Sequence, residues 1–320
     1  MIVDNERKQH VFFTGRRGSA VAIISLSILL AFPGPELLSA ADGGGSVYPA
    51  GVETILPGMM PPPGQTLLLE FNNFYQANGL MDGRGHSLVP GFHLRVAAVA
   101  VKVVHNWGVK ALGGELVSSV ALPIVYEHLT GPFGSLQKTG LSNPDISVLD
   151  IAYAKGAWHW WYGIDAFTPG PAYNRNDILN VGEHHFATAP EGAVTWLPQR
   201  GQTEVSSKFQ YILNFTNPAT QYRSGREFVW EFAVMHTFAR KLSLGVNGYG
   251  YQQTTDDRQF GVSVAGGNRG RVFAAGPEIK YHLGEVALIL KYQKEMLVEN
   301  RTAGHSMWLQ VGIPLWKHEK

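Results

Sequence analysis

The sequence predicts an all-β fold, an antiparallel transmembrane β-barrel of about twelve strands that follows a signal peptide. Three observations support this prediction. From residue 65 onward, segments of about ten residues alternate apolar and polar side chains. The connections between these segments alternate between short and long. Only 16% of the residues are charged, well below the ~25% of ordinary soluble domains.

Residues 1–41 have the order of a cleaved signal peptide. Basic residues within 8–17 precede an apolar run over 20–32, and small residues follow at 39–41. A membrane anchor is the alternative, but the run is shorter than the ~20 apolar residues of a span, and Pro33 ends it. A barrel must cross the inner membrane unfolded, so we expect the general secretory route and a Gram-negative outer-membrane location.

The segment 204–215 shows the strand alternation most clearly. One face is apolar and carries Val205, Phe209, Tyr211, Leu213 and Phe215. The other face is polar and carries Glu204, Ser206, Lys208, Gln210 and Asn214. Side chains alternate between the two faces of a strand, and in a membrane barrel the apolar face contacts lipid while the polar face lines the lumen.

Eleven further segments complete a predicted barrel domain over 65–316, followed by a tail over 317–320. The twelve predicted strands are 65–77, 89–104, 111–126, 143–155, 157–168, 190–199, 203–216, 226–239, 242–254, 270–282, 284–297 and 304–316. Glycine or proline within strands, at Gly276–Pro277, Pro123 and Pro314, marks candidate bulges or a lateral opening.

The predicted connections separate into two sets. Short ones fall at 105–110, 155–156, 200–202, 240–241 and 283–284, and long ones at 78–88, 127–142, 169–189, 217–225, 255–269 and 298–303. Tight periplasmic turns and longer extracellular loops are typical of outer-membrane barrels. A soluble β-sandwich is the competing fold, but it would not explain this alternation together with the low charge.

Several separated motifs resemble one family. The chain reads GGSVYPAGVET at 44–54, PGMMPPPG at 57–64, PGPAY at 169–173, NPATQYRSG at 217–225 and GYGYQQT at 248–254. In this order they resemble the outer-membrane channels tied to the MetA-pathway (meta-pathway) of phenol degradation, although Pro-Gly-Pro replaces the family's Pro-Thr-Gly. The resemblance implies uptake of hydrophobic, often aromatic, molecules, with outer-membrane lipid and the barrel assembly machinery as partners.

Residues 42–64, which we call the leader, precede the first strand and are rich in Gly and Pro. Such a composition is often disordered, so a disordered periplasmic leader is one interpretation. A plug that folds into the lumen is the other. A plug would offer a weak apolar ligand site, for which the candidate side chains are Tyr48, Ile55, Leu56, Met59 and Met60.

The polar faces of the predicted strands supply candidates for the lumen. These are Glu70, Asn72, Lys208, Gln210, Glu231, Glu278, Lys280, Lys291 and Glu295. Both signs of charge are present, so we expect no strong selection for anions or cations. Pairing that braces the barrel is favoured over direct contact with a substrate.

The sequence carries little sign of catalysis or cofactor binding. It has no cysteine, so it offers no thiolate ligand, disulfide or cysteine nucleophile. His184–His185 beside Glu183 lacks a spaced third ligand and is interpreted as a loop pair. We expect no enzyme activity, cofactor, metal or nucleic-acid partner. A structural or adhesive barrel without transport is the alternative function.

Overall fold

The computed structural model describes residues 45–239 and 241–315. The predicted signal peptide at 1–41 and the predicted tail at 317–320 lie outside the described residues. Within the described part of the chain, no helix is long and apolar enough to cross a membrane.

The described chain forms sixteen strands and one short turn of helix. The strands are β1 (Thr66–Leu80), β2 (His93–Ala111), β3 (Gly114–Gly131), β4 (Gly134–Leu141), β5 (Asp145–Lys155), β6 (Trp158–Phe167), β7 (Ala187–Trp196), β8 (Thr203–Asn214), β9 (Tyr222–Arg223), β10 (Glu227–Ala239), β11 (Leu242–Gln253), β12 (Arg258–Gln259), β13 (Val262–Ser263), β14 (Arg271–Leu283), β15 (Val286–Glu299) and β16 (Thr302–Pro314). The turn is α1 (Pro198–Gly201), in which Gln199 and Arg200 have positive φ.

Twelve of these strands close into an antiparallel barrel. Each pairs with its neighbours in the order β1, β2, β3, β5, β6, β7, β8, β10, β11, β14, β15 and β16, and β16 pairs with β1. The predicted twelve-stranded barrel is therefore confirmed. Strand β4 pairs with β3 but is not one of the twelve strands of the closed barrel. Strands β9, β12 and β13 form a small separate sheet.

The connections define two ends of the barrel. At the short-turn end, β2 joins β3, β5 joins β6 and β14 joins β15 through two residues each. At the long-loop end, the connections include 81–92, 168–186, 215–226 and 254–270. One predicted long connection, 298–303, is wrong, because β15 and β16 extend until only residues 300–301 separate them.

The two faces of the wall differ as a membrane barrel requires. Outward side chains such as Phe209, Trp230 and Val234 are exposed, whereas Lys208 and Glu231 on the alternate positions are buried. At the short-turn end, Trp158 stacks on Trp196 with 5.4 Å between ring centroids. Aromatic rings at strand ends suit the membrane interface.

The wall stays joined at Gly276–Pro277, a predicted site of irregularity in β14. Pro277 has no N–H to give to a neighbouring strand. The Asn247 side-chain amide donates to the carbonyls of Gly276 and Pro277, both at 3.2 Å, and at 3.5 Å to the Tyr292 carbonyl of β15. A Cβ at Gly276 would lie 2.1 Å from the Tyr292 carbonyl oxygen, so the strands approach closely here.

Candidate functional site: the leader and two apolar chambers

The described part of the leader, residues 45–64, runs from the long-loop end to the short-turn end. The Ser46 hydroxyl donates to the Glu227 carboxylate at the start of β10. At the other end the Gly64 N–H donates to the Asn106 carbonyl at 2.8 Å. Between these points Tyr48 and Val52 are buried against inward side chains of the barrel.

Strands β10 and β15 bind residues 48–53, the part of the leader nearer the long-loop end. Glu231 of β10 accepts hydrogen bonds from the Tyr48 hydroxyl at 3.0 Å and from the N–H groups of Gly51 and Glu53. The Lys291 ammonium of β15 donates to the carbonyls of Gly51 and Val52 at 2.6 and 2.8 Å. Side chains of the wall therefore satisfy backbone groups that water would otherwise solvate.

Glu53 forms the ionic centre of the leader. Its carboxylate pairs with the ammonium groups of Lys102 and Lys208, and Lys208 also pairs with Glu191 at 2.9 Å. Burial raises the pKa of the Glu53 carboxyl, but the two ammonium groups lower it more, so the pKa lies well below its usual range. The stabilisation is present above the ordinary carboxyl pKa and is lost only as pH falls through the lower value.

Residues 56–58, the part of the leader nearer the short-turn end, contact β6, β7 and β8. The Leu56 N–H donates to Glu204 at 2.8 Å, and Glu204 also pairs with Lys280 at 2.7 Å. The Trp161 indole N–H donates to the Pro57 carbonyl, and the Gly58 N–H donates to the Thr195 hydroxyl at 3.0 Å.

Glycine is required where the leader approaches the wall most closely. A Cβ at Gly58 would lie 2.5 Å from the Thr195 backbone nitrogen and 2.6 Å from the His159 carbonyl oxygen. These are backbone atoms of paired strands and cannot move aside. Gly51 has φ of +91°, and a Cβ there would lie 2.6 Å from the Tyr249 ring.

A cavity of about 290 Å³, the long-loop chamber, lies beside the leader. Its walls are mainly apolar and come from inward positions of β1 to β3, from the leader and from the 168–186 loop. They include Val47, Val52, Phe71, Phe92, Val96, Ala98, Val125, Leu129, Leu179 and Val181.

A second cavity of about 380 Å³, the short-turn chamber, lies toward the opposite end. It is lined by leader side chains and by β1, β2, β15 and β16. Its apolar lining includes Ile55, Leu56, Met59, Met60, Leu67, Leu69, Val104, Trp161, Ala287 and Ile289. Phe71 lines both chambers.

Most of the predicted lumen residues face the interior. Lys208, Gln210, Glu231, Glu278, Lys280 and Lys291 are buried, and Glu295 accepts the hydroxyls of Tyr75 and Tyr249 at 2.9 and 2.7 Å. Lys208, Glu231 and Lys291 bind the leader, whereas Gln210 and Lys280 bind other inward carboxylates, Glu191 and Glu204. Glu278 differs, because its carboxylate oxygens have no hydrogen-bond partner among the described residues.

The prediction for Glu70 and Asn72 is wrong. On β1 the buried residues are Phe71 and Asn73, and the alternate face carries Phe74, which is 60% exposed. Glu70 and Asn72 lie on that outward face, where the Asn72 amide donates to Glu70 at 2.9 Å. The assumption that the polar face of a strand lines the lumen fails here, because the interior beside β1 is mainly apolar.

Among the predicted ligand side chains of the leader, four line the short-turn chamber: Ile55, Leu56, Met59 and Met60. Tyr48 instead lies beside Lys208, whose ammonium is 4.9 Å from the ring centroid. Sequence reasoning missed the chamber-lining residues of the wall, of which Phe71 and Ala98 are examples. The unbroken apolar runs at 67–69 and 96–101 could have indicated these residues. A strand that is apolar on both faces places apolar side chains in the interior as well as against lipid.

His184 and His185, interpreted from the sequence as a loop pair, contact different partners. The His184 ring stacks on Tyr173, and a His185 ring nitrogen lies 3.1 Å from the Asn214 side-chain oxygen. Among the residues that the structure describes, no group of three or more metal-ligating side chains was found.

The closed wall with an apolar outer face and a filled interior defines an outer-membrane β-barrel. Residues 77–311, about three quarters of the chain, match the family described as "Putative MetA-pathway of phenol degradation". The chain belongs to that family.

One solved structure supports the barrel fold. The COG4313 outer membrane channel from Pseudomonas putida F1 matches 84% of this chain and 100% of its own, with 14% identity and a TM-score of 0.70. The CymD monoaromatic hydrocarbon channel matches 88% and 97%, with 7% identity and a TM-score of 0.44. The NanC porin matches 78% and 100%, with 11% identity and a TM-score of 0.43. No curated protein sequence matches this chain.

Proposed function

We propose that this protein is a passive outer-membrane channel for small apolar molecules of about the size of an aromatic ring. One observation carries the proposal: two apolar chambers of about 290 and 380 Å³ lie inside the barrel and share Phe71 in their walls. Membership of a family named for phenol degradation supports the substrate class. The proposed role is transport and not catalysis.

The charges inside the barrel support an apolar solute. Lys102, Lys208 and Lys280 each pair with a carboxylate, and Lys291 is occupied by leader oxygens. A paired charge attracts a passing ion weakly, because its field is compensated at short range. The open volume borders mainly apolar side chains, and three charged groups that line the short-turn chamber, Glu53, Lys102 and Lys280, are paired.

The leader acts as a fixed plug in this proposal. Its hydrogen bonds and ion pairs to β8, β10 and β15 fill the polar part of the interior, and glycine at position 58 lets it approach the wall. Short turns face the periplasm in barrels of this type, so a solute would enter the long-loop chamber, pass Phe71 and leave through the short-turn chamber.

Flux through vesicles that carry lipopolysaccharide in the outer leaflet tests the proposal. This leaflet slows the unassisted passage of apolar solutes, and empty vesicles give the background. We expect the protein to speed entry of 4-fluorotoluene, followed by fluorine NMR, and to admit small sugars poorly. Free sugar entry would indicate a general pore. A folded barrel that admits neither solute would contradict the proposal and favour the structural or adhesive alternative.

A further inference from the structure

The long-loop chamber contains two polar groups that the surrounding structure leaves unpaired. Asn73 is only 8% exposed, and its amide nitrogen has no hydrogen-bond partner within residues 45–239 and 241–315. The Glu127 carboxylate lines the same chamber and makes no hydrogen bond or ion pair with another described residue. Buried polar groups are usually paired, so the free Asn73 amide calls for an explanation, and the half-buried Glu127 carboxylate lies in the same chamber.

Two other polar side chains of this chamber, Asn143 and Asn180, are occupied. The Asn143 amide donates to the carbonyls of Thr168 and Glu183, and its oxygen accepts the Glu183 N–H at 2.7 Å. Asn180 accepts a hydrogen bond from Lys138 at 2.7 Å. Asn73 and Glu127 therefore differ from the polar residues that serve the fold.

The nearest candidate partner for Glu127 is engaged elsewhere. Lys138 of β4 stands opposite Glu127 in the strand register. Its ammonium, however, binds the Asp177 carboxylate and the Asn180 side-chain oxygen, both at 2.7 Å. The Glu127 carboxylate thus remains free among apolar neighbours, which include Val125 and Leu129.

The register places the two groups across the chamber from each other. Asn73 of β1 pairs with Ala98 of β2, Ala98 pairs with Val125 of β3, and Glu127 is the next inward residue after Val125. Two strand spacings separate them, about 10 Å in the hydrogen-bonding direction. The small Ala98 side chain leaves the space between them open.

We infer that Glu127 and Asn73 form a specificity site that binds the hydroxyl group of an otherwise apolar solute such as an aromatic alcohol. A hydroxyl both donates and accepts, which matches a free carboxylate acceptor and a free amide donor in one chamber. A hydrocarbon of the same size leaves both groups unpaired and binds less well. The inference rests on the proposed channel function and deepens it.

Binding measurements on the full-length protein in nanodiscs test the inference. The probes are 4-fluorobenzyl alcohol and 4-fluorotoluene, which differ by one hydroxyl, and fluorine NMR line broadening reports their affinities. For the unmodified protein we expect a preference of about tenfold for the alcohol. Glu127→Leu should abolish the preference by weakening alcohol binding, whereas Glu127→Gln, which keeps an acceptor oxygen, should retain part of it. Asn73→Leu should reduce it.

Two results separate failure of this inference from failure of the channel proposal. If both probes bind and enter vesicles but their affinity ratio is the same in the unmodified protein and in Glu127→Leu, the channel stands and the specificity site is wrong. If neither probe binds the unmodified protein, both proposals fail. Heat-modifiable mobility on a gel checks that each variant is a folded barrel. If Glu127→Leu misfolds, the affinity ratios of the two probes for Glu127→Gln and for the unmodified protein decide.

Discussion

The two sides of the barrel interior have opposite chemistry. On β8, β10 and β15 the inward residues include Lys208, Glu231 and Lys291, which bind the leader. On β1 to β3 the inward residues are mostly apolar, and Lys102 is the inward residue there that pairs with Glu53. Both chambers border this apolar side, and the short-turn chamber also borders β15 and β16. The comparison teaches that polar contacts can hold the leader on one side of the interior while cavities remain among the apolar side chains of the other side.

Physical chemistry explains why the two sides differ. Charged groups in a poorly hydrated interior need partners with good geometry, and the leader supplies them. Apolar side chains need no partner, and a cavity among them can persist without being filled by polar groups. Substitutions that remove the leader's contacts test the polar side, and substitutions in the long-loop chamber test the apolar side.

The largest effect is expected from Glu53→Leu. The change leaves Lys102 without its carboxylate and leaves Lys208 with Glu191 alone. Removing one partner of a buried ion pair costs ~3–5 kcal/mol, so the leader should detach while the wall stays closed. Protease cleavage within residues 45–64 and a rise in single-channel conductance would report the release.

Glu70→Leu is the matched control for that variant, because it makes the same substitution on the outward face. It should leave the leader protected and the conductance unchanged. Equal protease protection in Glu53→Leu and Glu70→Leu would contradict the role of the ionic centre.

A smaller effect is expected from Gly58→Ala. The added methyl group would meet two backbone atoms of the wall at 2.5 and 2.6 Å, and overpacking of this kind costs ~1–3 kcal/mol. The part of the leader nearer the short-turn end should loosen, as measured by faster amide hydrogen exchange at 56–60. Pro62→Ala, at an exposed position, is the control, and exchange rates that match between the two variants would argue against the close fit.

The apolar side is tested by two adjacent residues on opposite faces of β2. Ala98 lines the long-loop chamber, and Val99 is 43% exposed on the outer face. Ala98→Trp fills the chamber, and if a bound solute is disfavoured by ~1.4 kcal/mol the flux of 4-fluorotoluene falls about tenfold. Val99→Trp should leave flux unchanged. A loss of flux in both variants, or in neither, would place the path elsewhere.

The smallest effect concerns the misassigned carboxylate on the outer face. Glu70 lies opposite Val101 of β2, which is 40% exposed, and Val311 of β16 in the strand register. A carboxylate facing lipid is unfavourable, so Glu70→Leu should raise the free energy of unfolding by ~1 kcal/mol, as measured by denaturant titration in lipid vesicles. Unchanged or lower stability would show that the hydrogen bond from the Asn72 amide already compensates the carboxylate at this surface.

The sequence predicted the wall well and the interior only in part. Strict alternation at 204–215 predicted both the strand and the faces of β8, because there the interior is polar and the exterior apolar. On β1 the same rule placed Glu70 and Asn72 inside and overlooked Phe71. Which face points inward there depends on cross-strand register and on the leader's position, and neither is visible in local periodicity.

The leader posed the same difficulty. Its Gly and Pro content fits either a disordered segment or a plug, since composition reports flexibility of the unfolded chain and not the partners available in the fold. Glu53 gave no signal, because its two ammonium partners lie about 50 and 150 residues away in the chain. Long-range pairs of this kind require the closed barrel to bring them together.

The most direct test of the divided interior is flux with the leader covalently tethered. The chain has no native cysteine, so Ser46→Cys and Glu227→Cys can be joined selectively by a short dithiol reagent at the site of their hydrogen bond. The account predicts that the tethered protein carries 4-fluorotoluene as fast as the untethered double variant, because the solute passes along β1 to β3 while the leader stays in place. Loss of flux on tethering, restored by cleaving the linker, would show that the leader must leave and would contradict the account.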